Sequence, residues 1–249
     1  RWSFASGCRH ADWFYCNNVE GIDDDGHPHL RMAVFAPDQV VIEDTWRVSG
    51  LSGTGSHHFH VDDAFVPSVR TLDPLAEERC IDAVIARFPS PSLFALSVGA
   101  VALGIGQGAV DDVIELATEK TPLLAESTLA RNPHFQFELA KADTKLRAAR
   151  ALLHESAEEA WGSVASGATL SLHDRARLRT AAVWAANSAA EVVTAAYRAG
   201  GGSSIFQTSP LQRRLRDVNA LTQHFLVRDD TLTTAGAILA RQEVSVVVF

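Results

Sequence analysis

Residues 216–225 carry the most informative pattern in this 249-residue chain: Arg216-Asp217-Val218-Asn219-Ala220-Leu221-Thr222-Gln223-His224-Phe225. An arginine–aspartate pair is followed, about two helical turns later, by a lone histidine. The run Gly200-Gly201-Gly202 lies upstream and interrupts a dense helical region, as expected where glycine ends a helix. The pattern predicts a helix that starts near Pro210 and carries both Arg216 and His224.

The chain after Pro74 has the alanine-rich, apolar pattern of helices that pack against one another. Asn132 can cap a helix whose first residue is Pro133. The predicted helices span 92–120, 133–166, 172–199 and a segment from 210 onward, and a short last helix follows Asp229-Asp230. Four long helices joined by short connections are typical of an up-and-down four-helix bundle.

Aromatic and β-branched side chains dominate residues 1 to about 73, as is typical of β-strands. Turn-forming residues separate the strands at Asp23-Asp24-Asp25-Gly26, at Ala36-Pro37-Asp38 and at Ser52-Gly53-Thr54-Gly55-Ser56. We therefore predict an α+β protein. A small antiparallel β-sheet domain, residues 1–75, precedes a helical bundle domain, residues 76–249.

Composition argues against several classes of protein. The formal net charge of -8 disfavours a nucleic-acid surface, which needs clustered lysine and arginine. No apolar run approaches the ~18 residues of a membrane span, so no membrane partner is predicted. Cys8, Cys16 and Cys80 form no CxxC pair, which favours a reducing, cytoplasmic location. The chain begins at Arg1 without a methionine, so we expect it to be cut from something longer.

His57-His58-Phe59-His60 is the densest histidine cluster and raises the question of a metal site. On a strand, His58 and His60 share one face while His57 points to the other. No carboxylate lies at chelating spacing on that face. A metal site needs three or four converging ligands, so we predict a solvated strand face and no metal site.

Two glycine-rich stretches resemble nucleotide-binding loops in part. Gly104-Ile105-Gly106-Gln107-Gly108 lacks a preceding strand and the GxGxxG spacing, so close helix packing is the better interpretation. Ser52-Gly53-Thr54-Gly55-Ser56 lacks a GK[ST] ending but has glycines that let backbone N–H groups converge on an anion. For this second stretch, an anion-binding loop and an ordinary tight turn both stay open.

His224 by itself would be an ordinary helix histidine. The glycine break before its helix and the basic residues near the start of that helix favour an anion or cofactor station instead. These basic residues are Arg213, Arg214 and Arg216.

Together these pieces resemble the acyl-CoA dehydrogenase superfamily. The first matching stretch, residues 2–13, contains Trp2-Ser3-Phe4-Ala5-Ser6-Gly7 and is similar to the segment that passes the flavin ring. The second runs from Trp46 to Pro67, and the third runs from the glycine run through Arg216-Asp217 to His224. They follow the family's order over nearly the whole chain and imply its fold, with the family's N-terminal helical domain missing.

Position 225 separates two branches of this superfamily. Its dehydrogenases place a catalytic glutamate shortly after the Arg-Asp pair, and the corresponding residue here is Phe225. No carboxylate follows until Asp229. Without a base, removal of the α-proton of a thioester has no first step. Glu115 and Glu119 could be proposed as a displaced base, but their surroundings resemble a solvent-facing helix end.

The chain is more similar to the flavin-dependent monooxygenases of two-component systems, such as the oxygenases that act on 4-hydroxyphenylacetate or on a phenolic secosteroid. In these a histidine follows the pair at the spacing of His224. The resemblance implies that reduced FMN or FAD comes from a separate flavin reductase and reacts with O2 to a C4a-hydroperoxide. The product of the reaction is a hydroxylated aromatic or phenolic substrate. The resemblance also implies a homo-oligomer, a tetramer.

The same resemblance implies roles for individual residues. Ser6 matches the position whose hydroxyl hydrogen-bonds flavin N5, and Phe4 matches the aromatic residue beside the flavin ring. The glycines Gly200, Gly201 and Gly202 match the station where the phosphate or adenosine end of the cofactor approaches a neighbouring subunit. His224 is the predicted acid/base, since an imidazole with an ordinary pKa of ~6.5 can give or take a proton near neutral pH.

Phe88 and Phe94 could line an aromatic pocket, although core packing is the better interpretation of both. Two other functions stay open. One is an acyl-CoA dehydrogenase-like or oxidase-like flavoenzyme that acts on a thioester with a displaced base. The other is a non-catalytic, degenerate homologue that serves as a structural or interaction subunit.

Overall fold

The structure is a computed structural model that describes residues 1–22, 26, 28–73 and 81–244. The chain divides into two compact units, Arg1–Asp82 and Ala83–Phe249. The predicted turn residues Asp23-Asp24-Asp25 and the predicted domain boundary at 75/76 lie outside the described residues, as does Cys80.

The first unit contains two three-stranded antiparallel sheets. Its strands are β1 (Trp2–Ala5), β2 (Phe14–Ile22), β3 (Pro28–Phe35), β4 (Val41–Glu43), β5 (His57–His60) and β6 (Thr71–Leu72). The strand order is β1-β5-β4 in one sheet and β2-β3-β6 in the other. The small antiparallel domain predicted from the aromatic and β-branched pattern is therefore confirmed.

The core of the first unit follows from the period-2 alternation of its strands. Phe14 and Cys16 of β2 point inward, as do Ala33 and Phe35 of β3 and Phe59 of β5, and all five are buried in one apolar cluster. Because Phe59 is the inward residue of β5 that stacks on Trp2, the register of β5 against β1 is fixed by the core. This register determines which hydroxyl groups meet at the end of β1.

The second unit is a bundle of helices, as the sequence predicts. The helices are α1 (Ser90–Glu119), α2 (Pro133–Ala165), α3 (Leu172–Gly200), α4 (Pro210–Leu221) and α5 (Asp230–Leu239). Asn132 caps α2 as predicted, since its side-chain oxygen accepts hydrogen bonds from the backbone N–H groups of His134 and Phe135.

Helix α3 lies at the centre of the bundle and contacts α1, α2, α4 and α5. Small residues let the neighbouring backbones approach it closely. A Cβ atom on Gly99 would lie 3.2 Å from the Cα of Ala182, and one on Gly106 would lie 2.9 Å from Leu146. The interpretation of the 104–108 stretch as close helix packing is therefore confirmed at Gly106, whereas a Cβ on Gly104 would meet nothing within 4 Å.

Among the helices that the structure describes, α1 alone is long and apolar enough to cross a membrane, with a mean hydropathy of 1.8 over its most apolar window. This corrects the expectation that no apolar run approaches the length of a membrane span. Small and polar residues interrupt the apolar residues of α1, but the mean hydropathy of the helix stays high. Core helices pass the same test, and α1 buries Ala95, Ala102, Ala109 and Val113 in the bundle.

Candidate functional site

Three hydroxyl groups form a chain at the end of β1 in the first unit. The Oγ atoms of Ser6 and Ser56 are 2.8 Å apart, and the Oγ of Ser56 is 2.7 Å from the Oγ1 of Thr54. Thr54 in turn donates to the carbonyl oxygen of Leu51 over 2.8 Å. Ser6 is exposed while Ser56 is only 3% exposed, so the chain leads from the surface through a buried hydroxyl group to the half-buried residues Thr54 and Leu51.

The backbone around this hydroxyl chain is unusually bent. Phe4 and Leu51 have positive φ angles of 62° and 54°, which non-glycine residues rarely adopt. Gly7 and Gly55 also have positive φ, and the N–H of Gly7 donates to the carbonyl oxygen of Thr54 over 2.8 Å. Such costly conformations concentrate at functional sites. The predicted Ser52–Ser56 loop is thus a short 3-10 turn that holds Thr54 and Ser56 against the end of β1.

Phe4 presents an aromatic ring at the surface beside Ser6. Its side chain is 72% exposed although it contacts two other rings edge-on, that of Trp46 at 6.2 Å and that of His58 at 6.1 Å. The left-handed backbone at Phe4 breaks the regular alternation of the strand, so its side chain points to solvent instead of into the core. The site therefore combines a supported, exposed aromatic face with an exposed hydroxyl group.

His57 supports the loop that carries this site. It was predicted to point to the face of the strand opposite His58 and His60, and on that face it is only 5% exposed. Its Nδ1 accepts hydrogen bonds from the backbone N–H groups of Thr45 and Trp46, both at 3.2 Å. His57 fixes Trp46, which in turn supports Phe4.

His60, at the other end of β5, contacts two carboxylates. Its Nδ1 lies 3.0 Å from Glu43 and its Nε2 lies 3.4 Å from Asp62, so the expectation of no carboxylate near this face was wrong. Glu43 lies on the neighbouring strand, which sequence spacing does not reveal. The Arg1 guanidinium and the His60 ring hydrogen-bond to Glu43 and lower its carboxyl pKa to about 2. Within the described residues, no group of three or more metal-binding side chains converges.

His224 lies in a turn after α4 rather than on the helix, which corrects the sequence prediction. The helix ends at Leu221, and Thr222 Oγ1 donates to the carbonyl oxygen of Asn219, a local bond that competes with helix continuation. The next apolar residues, Leu226 and Val227, are buried and pull the chain back into the bundle. This reversal leaves His224 exposed at the tip of the turn.

The hydrogen bonds of the turn decide which nitrogen of His224 carries the proton. Its Nδ1 accepts from the backbone N–H of Leu226 over 3.3 Å, so the neutral ring must carry its proton on Nε2. Partial burial lowers the pKa of His224 below its ordinary value. Near neutral pH the ring can therefore donate a hydrogen bond from Nε2, whereas accepting a proton there would require the other tautomer.

Buried Arg179 of α3 holds this turn in place. It donates to the carbonyl oxygen of Leu226 over 3.3 Å and is only 2% exposed. Asn187, two turns further along α3, donates to the carboxylate of Asp229 over 2.6 Å. Both ends of the segment after His224 are therefore anchored to the central helix, and neither anchor is visible in the sequence pattern.

Phe225 occupies the position at which the dehydrogenase branch is expected to have its glutamate. Its side chain is 60% exposed, and its ring stacks on His224 with centroids 5.1 Å apart. The alternative carboxylates Glu115 and Glu119 are exposed on the last turns of α1, as predicted. Among the predicted pocket phenylalanines, Phe88 is buried in the bundle as expected for core packing, but Phe94 is 54% exposed and the packing interpretation was wrong for it.

The three glycines at the end of α3 are accounted for in different ways. A Cβ on Gly200 would lie 2.1 Å from Ser204 Oγ and 2.9 Å from Leu211, so packing requires glycine there. Gly201 has a φ of 55° that favours glycine. A Cβ on Gly202 would meet nothing within 4 Å, so the bundle itself does not require glycine at this exposed position.

One of the three arginines of the expected anion-binding site at the start of α4 is paired with a carboxylate of the protein. Arg214 forms a bidentate ion pair with Asp112 of α1, and its guanidinium lies so close to Gly108 that an added Cβ would be 2.2 Å from Nη1. Of the three arginines, Arg213 and Arg216 are exposed, whereas Arg214 is half-buried and its charge is paired with Asp112. Sequence spacing showed the three arginines but not the partner on α1.

The comparisons with known proteins agree with this architecture. A family model described as acyl-CoA dehydrogenase, C-terminal domain, matches residues 96–229, more than half of the chain. The chain belongs to the acyl-CoA dehydrogenase family. The family resemblance inferred from the three sequence stretches is therefore confirmed, and with it the α+β fold.

Two curated relatives of this acyl-CoA dehydrogenase family member carry names of oxygenases. An indole-3-acetate monooxygenase of Pseudomonas putida is 34% identical over 237 residues, which cover 95% of this chain and 60% of that protein. An FADH(2)-dependent resorcinol hydroxylase, oxygenase component, of Rhizobium sp. is 28% identical, covering 94% of this chain and 61% of that protein. The chain thus spans about three fifths of the length of these relatives.

A solved structure shows the same fold. The structure of XiaF from Streptomyces sp. in complex with FADH2 and glycerol has a TM-score of 0.88 and 24% identity. The match covers 97% of this chain and 63% of that one. At this identity the likeness concerns the fold alone.

The site residues divide into those the sequence indicated and those it missed. Phe4 and Ser6 lie together in the first unit, and Gly200, Gly201, Gly202 and His224 lie in the second unit. Sequence reasoning considered the Ser52–Ser56 loop as an anion-binding loop or a tight turn, but it missed the hydroxyl contacts of Thr54 and Ser56, and it missed Arg179. The alternating hydroxyls of the Ser52–Ser56 loop were the available signal for the first two, whereas a helix arginine gave no such signal.

The protonation state of His224 can be measured directly. We expect its imidazole to titrate with a midpoint below ~6.5, the ordinary value for histidine, because partial burial disfavours the charged ring. Stability from this site should be fully present above the pKa of the unfolded histidine and should decline as the pH falls below it, because the unfolded chain then binds the proton more readily. Imidazole NMR spectra of folded and urea-unfolded protein test this, and an equal or higher midpoint in the folded state would contradict it.

Proposed function

We propose that this protein is the oxygenase component of a two-component flavin-dependent monooxygenase that hydroxylates a small aromatic substrate with reduced flavin and O2. The observation that carries the proposal is the turn after α4, where His224 offers a neutral Nε2–H donor and residues 222–228 contain no carboxylate. The oxygenase names of the curated relatives support the same reaction.

The residues of the first unit fit a flavin ring. A flavin is a flat aromatic system with a hydrogen-bonding edge, and exposed Phe4 beside the exposed hydroxyl of Ser6 offers a partner for each. In this proposal Phe4 packs beside the ring and Ser6 bonds N5. Gly202, where the bundle leaves open space, belongs with Gly200 and Gly201 to the station for the phosphate or adenosine end of FMN or FAD.

When bound, reduced flavin supplies the two electrons that O2 activation requires. The chain's own groups orient the reactants and manage protons. His224 donates a hydrogen bond from Nε2 to oxygen or to a substrate hydroxyl, which stabilises developing negative charge there. The Leu226 N–H and Arg179 keep the ring in the donating tautomer and orientation. This role is narrower than that of a general acid/base, since the geometry favours donation.

The dehydrogenase alternative has less support. It requires a base near the α-carbon of a thioester, and the turn that would carry it has Phe225 at the corresponding position. Asp229, the next carboxylate, is bonded to Asn187.

The proposal includes partners and a location. Reduced flavin would come from a separate reductase, as the name of the Rhizobium relative, an oxygenase component, suggests. We place the protein in the cytoplasm and away from membranes and nucleic acid, consistent with its net charge of -8 and the free thiols of Cys8 and Cys16.

The test of the function uses the whole protein, anaerobically reduced FMN or FAD, and a rapid supply of O2. The substrate panel should contain indole-3-acetate, resorcinol and simple phenols, with products identified by mass spectrometry and 18O2 labelling. Incorporation of one labelled oxygen atom into an aromatic product is expected. Bleaching of oxidised flavin by an acyl-CoA without hydroxylation of any aromatic compound would favour the dehydrogenase, and failure to bind either flavin would favour the non-catalytic alternative.

An exposed apolar face on α2 and α3 supports the proposed homo-oligomer, for which we favour a tetramer. Phe137 and Trp184 are 64% and 51% exposed and border a shallow groove. The groove is also lined by Ala140, Ala148, Thr144, Lys141 and Lys145. Contiguous exposed apolar surface of this kind marks protein–protein contacts.

Trp184→Glu is expected to lower the native mass of the protein, because burying a carboxylate in a subunit contact costs more than exposing it. Light scattering after size-exclusion chromatography measures the mass. Leu123→Glu, at a 93% exposed position outside this face, is the matched control and should leave the mass unchanged. A monomeric wild type, or equal masses for all three proteins, would contradict the prediction.

A further inference from the structure

We propose that Ser56 and Thr54 are positioning residues that make the Ser6 hydroxyl donate its proton to Ser56. Ser6 then accepts a hydrogen bond from N5–H of reduced flavin, and the site binds reduced flavin more tightly than oxidised flavin. The inference rests on the proposed function, because it assumes that Ser6 faces the flavin. It adds a reason why the protein would select the reduced cofactor that its partner supplies.

The direction of the hydroxyl chain follows from counting protons. A carbonyl oxygen can only accept, so Thr54 donates its single hydroxyl proton to Leu51. Thr54 must then accept from Ser56, which donates its own hydroxyl proton in that bond. Ser56 must in turn accept from Ser6. Three protons satisfy three hydrogen bonds in this one direction only, and Ser6 is left with lone pairs toward the solvent side.

The burial of Ser56, in the middle of the chain, favours this direction. Ser56 is only 3% exposed, so water does not readily replace Thr54 as its acceptor. The carbonyl of Leu51 is held in place by two further donors, the backbone N–H of Thr54 and the indole N–H of Trp46, both at 3.1 Å. Reversing the chain would turn the Thr54 proton toward Ser56 and break its bond to the Leu51 carbonyl, which would keep only its two N–H donors. One of the three hydrogen bonds of the chain would then be lost.

The two redox states of flavin differ at the atom that Ser6 would meet. In reduced flavin N5 carries a hydrogen and donates, while in oxidised flavin N5 has a lone pair and accepts. An oxygen that offers only lone pairs therefore pairs with reduced N5 and opposes oxidised N5. A hydroxyl that could rotate would serve either state equally well, so the selectivity depends on Ser56 and Thr54 rather than on Ser6 alone.

The inference is tested by the ratio of the dissociation constants of oxidised and reduced flavin, measured anaerobically on the whole protein by fluorescence or calorimetry. Thr54→Val keeps the shape of the side chain but removes its acceptor oxygen, so Ser56 can turn its proton toward Ser6 and free the Ser6 proton. Ser56→Ala frees that proton directly. Each variant is expected to reduce the ratio about fivefold, the equivalent of one ordinary hydrogen bond.

Two matched controls separate this effect from a general disturbance of the loop. Thr54→Ser keeps the hydroxyl and should keep the wild-type ratio. Ser52→Ala removes a hydroxyl from the same loop that bonds only to the carbonyl of Val48 at 3.5 Å, and it should also leave the ratio unchanged. If Ser56→Ala does not fold, the Thr54→Val and Thr54→Ser pair decides the question.

The outcomes distinguish this inference from the function on which it rests. A wild type that binds both flavins with equal affinity, or a Thr54→Val variant that retains the wild-type ratio, overturns the inference and leaves the proposed function standing. A whole protein that binds neither oxidised nor reduced flavin overturns both.

Discussion

Gly200→Ala is expected to lower the free energy of unfolding of this protein by about 2–4 kcal/mol, combining the usual cost of overpacking a well-packed core with the loss of a buried hydrogen bond. The new Cβ would lie 2.1 Å from Ser204 Oγ and 2.9 Å from Leu211 Cδ1. Ser204 is fully buried and donates to the carbonyl oxygen of Tyr197 over 2.8 Å. It has no flexible end that could move aside, so its hydrogen bond or the end of α3 must yield.

Urea denaturation measures the change, and the chain offers a matched control two residues away. A Cβ on Gly202 meets nothing within 4 Å, so Gly202→Ala should leave stability nearly unchanged. The double variant Gly200→Ala with Ser204→Ala removes the hydroxyl that the Cβ meets and should recover part of the loss. Equal stabilities of Gly200→Ala and Gly202→Ala would show that the packing around Gly200 is not as close as described.

The same pair separates packing from cofactor binding. If the glycine run serves the phosphate or adenosine end of the flavin, Gly202→Ala should weaken flavin binding while the protein stays fully stable. Gly200→Ala would affect both properties and is therefore uninformative about the cofactor.

His224→Ala is expected to lower aromatic hydroxylation by about a hundredfold in the whole protein, the lower end of what one hydrogen-bond donor to a developing oxyanion contributes. The ring supplies an Nε2–H donor whose tautomer is fixed by the Leu226 N–H. Without this donor, charge developing on oxygen loses its partner, and the electrons of reduced flavin should appear as hydrogen peroxide instead of product. Because His224 is exposed, the variant should fold.

Product yield and hydrogen peroxide release, measured together in single-turnover experiments, test this prediction. His224→Gln can still donate through its side-chain amide and should retain more activity than His224→Ala. His154→Ala removes an exposed histidine of α2 and is the matched control. Hydroxylation by His224→Ala at the wild-type rate would exclude the proposed role of this histidine.

Much of the fold was determined locally and was therefore predictable. Asn132 and Pro133 define the start of α2 because a capping side chain and a fixed φ act within one turn of the helix. The glycines at 200–202 end α3 for a similarly local reason. Strand alternation placed Phe14, Phe35 and Phe59 in one core, since the faces of a strand follow directly from the order of its residues.

The sequence predicted local structure less well where contacts with distant residues decide the path of the backbone. The helix that starts at Pro210 looked long enough to carry His224, but it ends at Leu221 because Leu226, Val227 and the buried Arg179 draw the following segment into the bundle. Phe88 and Phe94 are only six positions apart and were both interpreted as core residues, yet only the first is buried. Their burial depends on which helix faces meet, and that is decided by packing.

The sequence by itself determined the family, the order of sheet and helices, and the residue types at the candidate site, including Phe225 in place of a carboxylate. The tertiary structure decided how those residues can act. It brought Ser6 within 2.8 Å of Ser56, fifty positions away, and it fixed the proton of His224 on Nε2 through a backbone N–H. The sequence gives the residue types, but which group donates and which accepts in these hydrogen bonds depends on the partners that the fold brings into contact.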